Sequence, residues 1–404
     1  MLNSYRVNIR FVLYLLLGYA FITPYYFAQL SQLSIINKTL MSLTIVFVFI
    51  YYMSNFANSK LSRSILFLFL FYLSLIFSNY RNNSLELEEF IPMALAFSFF
   101  LFLNYCLDNR KNLLTFLFAL KILTFFYIIV NLILIYIYPE GLPSLTVSEG
   151  RKFYLFGNTN TTTRYLIPCL MFSFLYDQLK SGKIGKANWL LLLLSWLTLI
   201  KVWAVTGMIG LFIFTIILVW KSNKYQLFLI YIGMLIVSII SSLFLIIFKL
   251  ESNILADILG LFNKDMTFSY RDVLWMNAVD MIKQSPLWGY GSFTQEQMEM
   301  YIGNKFSAHN YYLDVLLRGG MIALSFLILG LLYVSKFIIK SLGTNVPRLI
   351  IATCASYFIM WIAEPFISTE NIMLPIILLL VSRLQTLEMY QLDIYKEKLE
   401  LDEN

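Results

Sequence analysis

A single histidine, His309, stands among 404 residues, inside the stretch FSAHNYYLDVLLRGG at 306–320. Imidazole titrates near pH 6.5 and accepts a proton at neutral pH. One such group suffices for a general base, although it cannot make a histidine metal cluster. From Asn310 to Leu317 the apolar positions fit a helix ended by Gly319-Gly320, which puts His309 at its first turn or cap. The positive end of a helix dipole disfavours imidazolium there and favours the neutral ring that a base must be. The plain alternative is a structural histidine in a polar loop.

Arg151, Lys152, Arg164, Arg271 and Arg318 are the cations with which such a base would work. Guanidinium presents a planar fork that donates two parallel hydrogen bonds to phosphate. The plain alternative pairs these cations with loop glutamates or lipid headgroups. Asp265 and Asp272 form no tight acidic motif, so arginine rather than metal is expected to neutralise a diphosphate, and no cofactor is expected. Gly289-Tyr290-Gly291 in PLWGYGSF reads as a turn, not a nucleotide fingerprint, and no phosphate loop or Ser/His/Asp arrangement is found.

The elements that must position these groups are membrane helices. The chain is 59% hydrophobic and 13% charged, against about 25% charged in a soluble domain. About twelve apolar runs qualify as spans: 11–30, 40–57, 64–79, 90–107, 113–138, 164–180, 187–201, 203–220, 226–248, 319–336, 347–364 and 371–386. The first follows Arg6 and Arg10 without a cleavage pattern and reads as a retained span. Basic residues mark alternate loops: Lys60 and Arg63, Arg110 and Lys111, Lys180 to Lys186, Lys221 and Lys224, Lys336 to Arg348, and Arg383. By the positive-inside rule these loops and both termini are cytoplasmic. The other loops carry Glu86, Glu88, Glu89, Glu140, Glu149, Glu364 and Glu370 and face outward. Lys121, within a run, is expected to snorkel to the inner face. The +7 charge is thus a matter of topology, not of nucleic-acid binding. Cys106, Cys169 and Cys354 lie in or at the edge of apolar runs, with neither disulfide-framework nor zinc spacing.

The resulting organisation is all-α. Residues 1–248 hold nine spans and an outer loop at 139–163, and residues 249–318 form a large outer loop. Three spans follow in 319–386, then a charged cytoplasmic tail at 387–404. Outer loops of this length are usually functional. The larger one shows helical spacing from Val273 to Ile282, stopped at Ser285-Pro286, and a second short helix at 293–302. A helical cap on the outer face is expected. Neither ATP nor nucleotide sugars are available there, so an enzyme on that face needs an already activated donor. A polyprenyl-diphosphate-linked sugar fits: its tail stays among the helices, its diphosphate is a good leaving group, and its glycan projects outward.

Three places resemble the O-antigen polymerase and ligase family. The first is RDVLWMNAVDMIKQSPLWGYG, Arg271 to Gly291, followed by Ala308-His309-Asn310-Tyr311-Tyr312-Leu313 and Gly320. It is similar to the family's Arg, Trp four residues on, Pro-x-x-Gly-x-Gly turn, His-Asn-x-x-Leu and closing glycine. The second, Gly150-Arg151 through Phe156-Gly157-Asn158-Thr159-Asn160, resembles an Arg…Phe-Gly-Asn-Pro-Asn loop, with Thr159 in place of proline. The third is AVTGMIG at 204–210, where many members carry a Ser-Arg pair; that arginine is absent, leaving Lys201 as the nearby cation.

The resemblance implies a GT-C-type membrane glycosyltransferase working without a nucleotide sugar. It implies His309 as the base that deprotonates an acceptor hydroxyl, Arg271 as the diphosphate-binding residue, and Arg151 as a second cation. Asn158 and Asn160 hydrogen-bond sugar or order their loop. Asn310, Tyr312 and Trp288 are further substrate-contact candidates, while Trp275 is expected mainly to pack. The partners implied are undecaprenyl-diphosphate-linked oligosaccharide, membrane lipids, and flippase and chain-length regulator proteins, at the bacterial cytoplasmic membrane. A polymerase of repeat units is the first reading and a glycan ligase the second. A lipid-linked-oligosaccharide flippase would instead show symmetric halves and a cation-lined cavity, without dependence on His309. A structural scaffold is the remaining alternative.

Overall fold

In a computed structural model of the chain, the described residues are 9–54, 60–84, 87–142, 152–247, 271–303, 307–364 and 372–402. For a few residues at helix ends, Asn160 and Arg271 among them, the backbone alone is described. Among the described residues the structure is helical and contains no strand, only an isolated bridge between Tyr154 and Gly157.

Each apolar run coincides with helix. The first ten helices are α1 (Ile9–Phe21), α2 (Tyr25–Gln29), α3 (Ser31–Ser54), α4 (Ile65–Arg81), α5 (Leu87–Leu107), α6 (Arg110–Ile137), α7 (Thr159–Ser181), α8 (Lys186–Lys201), α9 (Val205–Val219) and α10 (Lys224–Ile247). They are followed by α11 (Arg271–Gln284), α12 (Gln295–Ile302), α13 (Tyr311–Ile339), α14 (Val346–Met360), α15 (Met373–Ser382) and α16 (Leu384–Asp402). Two separators are visible in the residue types. Asn109 caps α6 by accepting from the amides of Lys111 and Asn112 at 2.9 and 3.2 Å. The run 11–30 is broken before Pro24, which removes a donor and lets α2 start anew.

Among the described residues, five helices are long and apolar enough to cross a membrane, or six if the bent pair α15–α16 forms one span. Others are apolar but short: α9 has 15 residues, about 22 Å of helix against a hydrocarbon core near 30 Å. Large apolar side chains nevertheless cover the outside of the bundle, such as Ile35 and Ile50 on α3, Phe126 and Ile133 on α6 and Leu229 on α10. Such a belt suits a multi-pass membrane protein. Inside, α9 packs along α14, α13 along α4, and α6 along α7. Gly207 and Gly210 explain the small residues of AVTGMIG. A Cβ on Gly207 would overlap Thr163, and one on Gly210 would come 2.6 Å from Met360 Sδ, so both permit close helix approach.

The contacts sort the loops onto two ends of the bundle. At one end lie the basic loops. Arg383 pairs with Asp108, and Arg110 lies 3.0 Å from Glu397. Within the charged segment expected at 387–404, α16 docks against this end, with Leu384, Leu387, Glu388, Gln391 and Ile394 buried. Glu388 accepts from Ser341 Oγ at 2.8 Å, Leu342 N at 2.8 Å and Thr344 N at 3.1 Å, so it satisfies the orphan donors of the loop before α14. Lys121 forms a salt bridge with Asp177 at 2.5 Å. Asp177 Oδ2 in turn accepts from Asn188 Nδ2 at 2.7 Å and Gly185 N at 2.9 Å.

Candidate active site

At the opposite end of the bundle, α13 breaks at Gly320, whose φ and ψ are 63° and −165°. In an unbroken helix the amides of residues 321 and 322 would donate to carbonyls 317 and 318. Instead Met321 N donates to Pro286 O at 2.8 Å and Ile322 N to Leu287 O at 3.3 Å. The two carbonyls accept from the turn: Tyr290 N reaches Leu317 O at 2.7 Å and Gly291 N reaches Arg318 O at 2.9 Å. The PLWGYG turn therefore supplies the rungs that the kink removes. A Cβ on Gly320 would overlap Leu287 O, and one on Gly289 would sit 2.6 Å from Leu317 O. Asn79 at the end of α4 accepts from Ser292 N at 2.6 Å and fixes the turn from below. Burial raises the Tyr290 phenol above its ordinary value, so it stays a neutral hydroxyl that donates to Met281 O at 3.1 Å.

His309 stands at the other end of the same half-helix. Asn310 is the N-cap of α13 and its side chain accepts from Tyr312 N at 3.0 Å and Leu313 N at 3.1 Å. The Asn310 amide donates to Ser242 Oγ at 3.1 Å and to Ile362 O at 3.0 Å, while Tyr311 N donates to Trp361 O at 2.9 Å. The cap is thus tied to α10 and to the end of α14. His309 takes φ 52°, a left-handed conformation uncommon for a residue with a Cβ. Conformations of this kind persist where the surroundings over-determine them. Ala308 N donates to Asp314 Oδ1 at 3.0 Å, and Ala308 O accepts from Trp275 Nε1 at 2.9 Å. Residues 307, 308 and 310–315 are all buried; His309 alone in that stretch is half-buried.

The remaining predicted residues are placed as follows. Arg271 opens α11 one turn before Trp275, at a register position on the face that meets Ala308; its side chain is not described. Trp288 packs against Phe77, ring centroids 4.5 Å apart. Tyr312 is buried, its hydroxyl 2.8 Å from Ser238 Oγ and its ring edge-on to Trp361, so its partners here are internal. Arg318 is half-buried, one turn from Asp314 and within its electrostatic reach. In the other loop, Asn158 accepts from Thr161 N at 2.9 Å as the cap of α7, the loop-ordering role. Phe156 N donates to Asn131 Oδ1 at 3.2 Å and the Phe156 ring stacks on Tyr165. Burial also raises the Tyr154 phenol, which donates to Pro139 O at 3.0 Å. Lys152 is exposed and lies 3.0 Å from Glu140, the pairing with a loop glutamate that the plain alternative described. The Arg164 carbonyl accepts from Tyr357 Oη at 2.6 Å, one turn of α14 from the Trp361 carbonyl that holds Tyr311. The first turns of α7, at Arg164, and the His309 cap therefore share the end of α14. Arg151 and Asp265 lie outside the described residues, and only the backbone of Asn160 is described. Lys201 lies over the Tyr136 ring at 5.3 Å.

The arrangement of turn, kink and capped histidine falls within one stretch of sequence. Residues 188–328 match the family model described as O-antigen ligase. The match is consistent with the O-antigen polymerase and ligase family as a whole, a family of glycosyl-transferring enzymes. No curated protein matches the chain. The O-antigen ligase match contains Arg271, Trp275, Trp288, His309, Asn310, Tyr312 and Arg318 and leaves out Lys152 and Asn158 of the other loop and Arg164 of α7. Sequence reasoning missed Asp314, Asn79 and the carbonyls of Trp361 and Ile362. An acid inside the otherwise apolar YYLDVLL was the one available signal.

Proposed function

We propose that the chain is a polymerase of lipid-linked oligosaccharide repeat units. It transfers glycan from an undecaprenyl-diphosphate carrier to an acceptor sugar hydroxyl at the outer face of the cytoplasmic membrane. About twelve spans with a GT-C-type arrangement, and cytoplasmic termini on the basic-loop side, belong to this reading. His309 takes the acceptor proton as the hydroxyl oxygen bonds to the anomeric carbon. The bond from that carbon to the diphosphate breaks and the electron pair leaves with the diphosphate. Arg271 stabilises the charge that develops, with Arg151, Arg164, Arg318 and Lys152 as further cations and Asn158, Asn160, Asn310, Tyr312 and Trp288 as candidate sugar contacts. Membrane lipids, a flippase and a chain-length regulator are the partners of this scheme.

The observation that carries the proposal is the His309 backbone, held left-handed beside the N-cap of α13 within the matched segment. A base held in one place by its scaffold needs little reorganisation when the substrate arrives. The description of the matched family favours a second reading, a glycan ligase, which needs the same base and cationic seat. Purified protein incubated with a lipid-linked repeat unit separates the two. A ladder of longer lipid-linked chains supports a polymerase, and transfer to a different acceptor supports a ligase. A full-length protein that binds the lipid but forms no covalent product overturns both.

A further inference from the structure

We infer that Asp314 and Trp275 are positioning residues for His309, acting together through the one peptide unit that precedes it. The inference rests on His309 being the base proposed above. The Ala308 peptide is held from both ends: its amide donates to Asp314 Oδ1 at 3.0 Å and its carbonyl accepts from Trp275 Nε1 at 2.9 Å. The two holders come from different elements. Asp314 projects back from the first turn of α13, whereas Trp275 reaches across from α11. Both are buried, in a small apolar cluster of Leu274, Trp275, Ala278, Met298, Ile302, Ala308, Leu313 and Leu317. That cluster is separate from the main core of the bundle. The next residue is His309 at φ 52°.

Asp314 is buried beside an apolar cluster with Arg318 within electrostatic reach, and burying a carboxyl group is costly unless its oxygens are partnered. Here Asp314 fixes the direction of one amide, which together with the Asn310 cap leaves the His309 backbone no freedom on either side. Helix capping does not account for it: Asn310 already satisfies the amides of Tyr312 and Leu313. Trp275 has a packing role in the cluster, but the indole N–H adds a directional bond that phenylalanine would lack. A misplacement of about 1 Å at a reacting group costs up to about a hundredfold in rate. Loss of either holder should therefore lower kcat while leaving donor KM nearly unchanged.

The single histidine supplies a readout independent of turnover. Protein with labelled histidine, purified without a polyhistidine tag, gives one set of imidazole NMR signals. The variants are Asp314→Leu, Asp314→Asn and Trp275→Phe, with the double variant of Leu and Phe. The expected result is a fall of about tenfold or more in kcat for Asp314→Leu and Trp275→Phe. Each should also split or broaden the imidazole signals. Asp314→Asn, whose amide oxygen still accepts from Ala308, recovers most of both. The double variant loses little more than either single one, because the two act through the same peptide. An unchanged imidazole signal in a folded Asp314→Leu or Trp275→Phe protein overturns the inference, whatever the rate. If wild-type protein makes no glycan product but the imidazole signals respond as described, the positioning role stands and the proposed reaction falls.

Discussion

The two ends of the bundle use polar side chains in different ways. At the end with the basic loops, charges pair across helices, Arg383 with Asp108, Arg110 with Glu397 and Lys121 with Asp177, beside carboxylates such as Glu388 that also hold backbone amides. At the end with His309, no such pairing across helices is described, and polar side chains, most of them buried, hold backbone: Asn79 on Ser292, Asn131 on Phe156, Asn158 on Thr161, Asn310 on Tyr312, and Asp314 and Trp275 on Ala308. Side-chain pairs fasten helices to one another. Side-chain-to-backbone bonds instead give irregular segments one shape, which is what a site built from loops requires. The difference separates an end that braces from an end that presents.

That contrast can be broken at several points. The largest effect is expected from His309→Ala, which should abolish glycan elongation, by at least about a hundredfold, in protein that remains folded and membrane-inserted. Elongation near the wild-type rate removes the base from the scheme. Next comes Arg271→Lys, expected to lose roughly tenfold or more in rate, because a point charge does not replace a bidentate fork. A lysine variant as fast as wild type assigns Arg271 to lipid headgroups. Gly289→Ala places a Cβ 2.6 Å from a backbone carbonyl at φ 66° and should destabilise the protein by about 1–3 kcal/mol or more, seen as a lowered thermal midpoint. At the bracing end, Glu388→Ala should cost about 1–3 kcal/mol through the unsatisfied donors of residues 341–344, while kcat stays near wild type. A large fall in kcat without loss of stability would couple the two ends. Lys152→Ala should have the smallest effect on stability, less than about 1 kcal/mol, since its ion pair with Glu140 is exposed.

Much of this was legible in the residues. Apolar runs set the helices, and the break between the runs 187–201 and 203–220 coincides with the one between α8 and α9. Val273 to Ile282 at helical spacing, with Ser285-Pro286 behind it, marked α11, and Thr294 with Gln297 supplies a capping box for α12. PLWGYG was recognisable as a turn, but not as the partner of Gly320, because that pairing joins residues about thirty apart through backbone atoms that carry no sequence signature. Asp314 was hidden for a similar reason: its acceptor role depends on where the Ala308 amide points. Composition alone did not show how the tail packs. KEKLELDEN is charged, yet Leu384, Leu387, Glu388, Gln391 and Ile394 recur at helical spacing and make one buried face. Lys121 lacked a visible partner because Asp177 lies on another helix.

The exchange of rungs at Gly320 joins segments that the chain visits far apart. Four amides, those of Tyr290, Gly291, Met321 and Ile322, depend on the same contact. Parting the turn from the helix exposes all of them to solvent in a single event. In a hydrogen-exchange experiment they should therefore open as one cooperative unit, tying the protection of the extramembrane segment to that of the bundle beneath it.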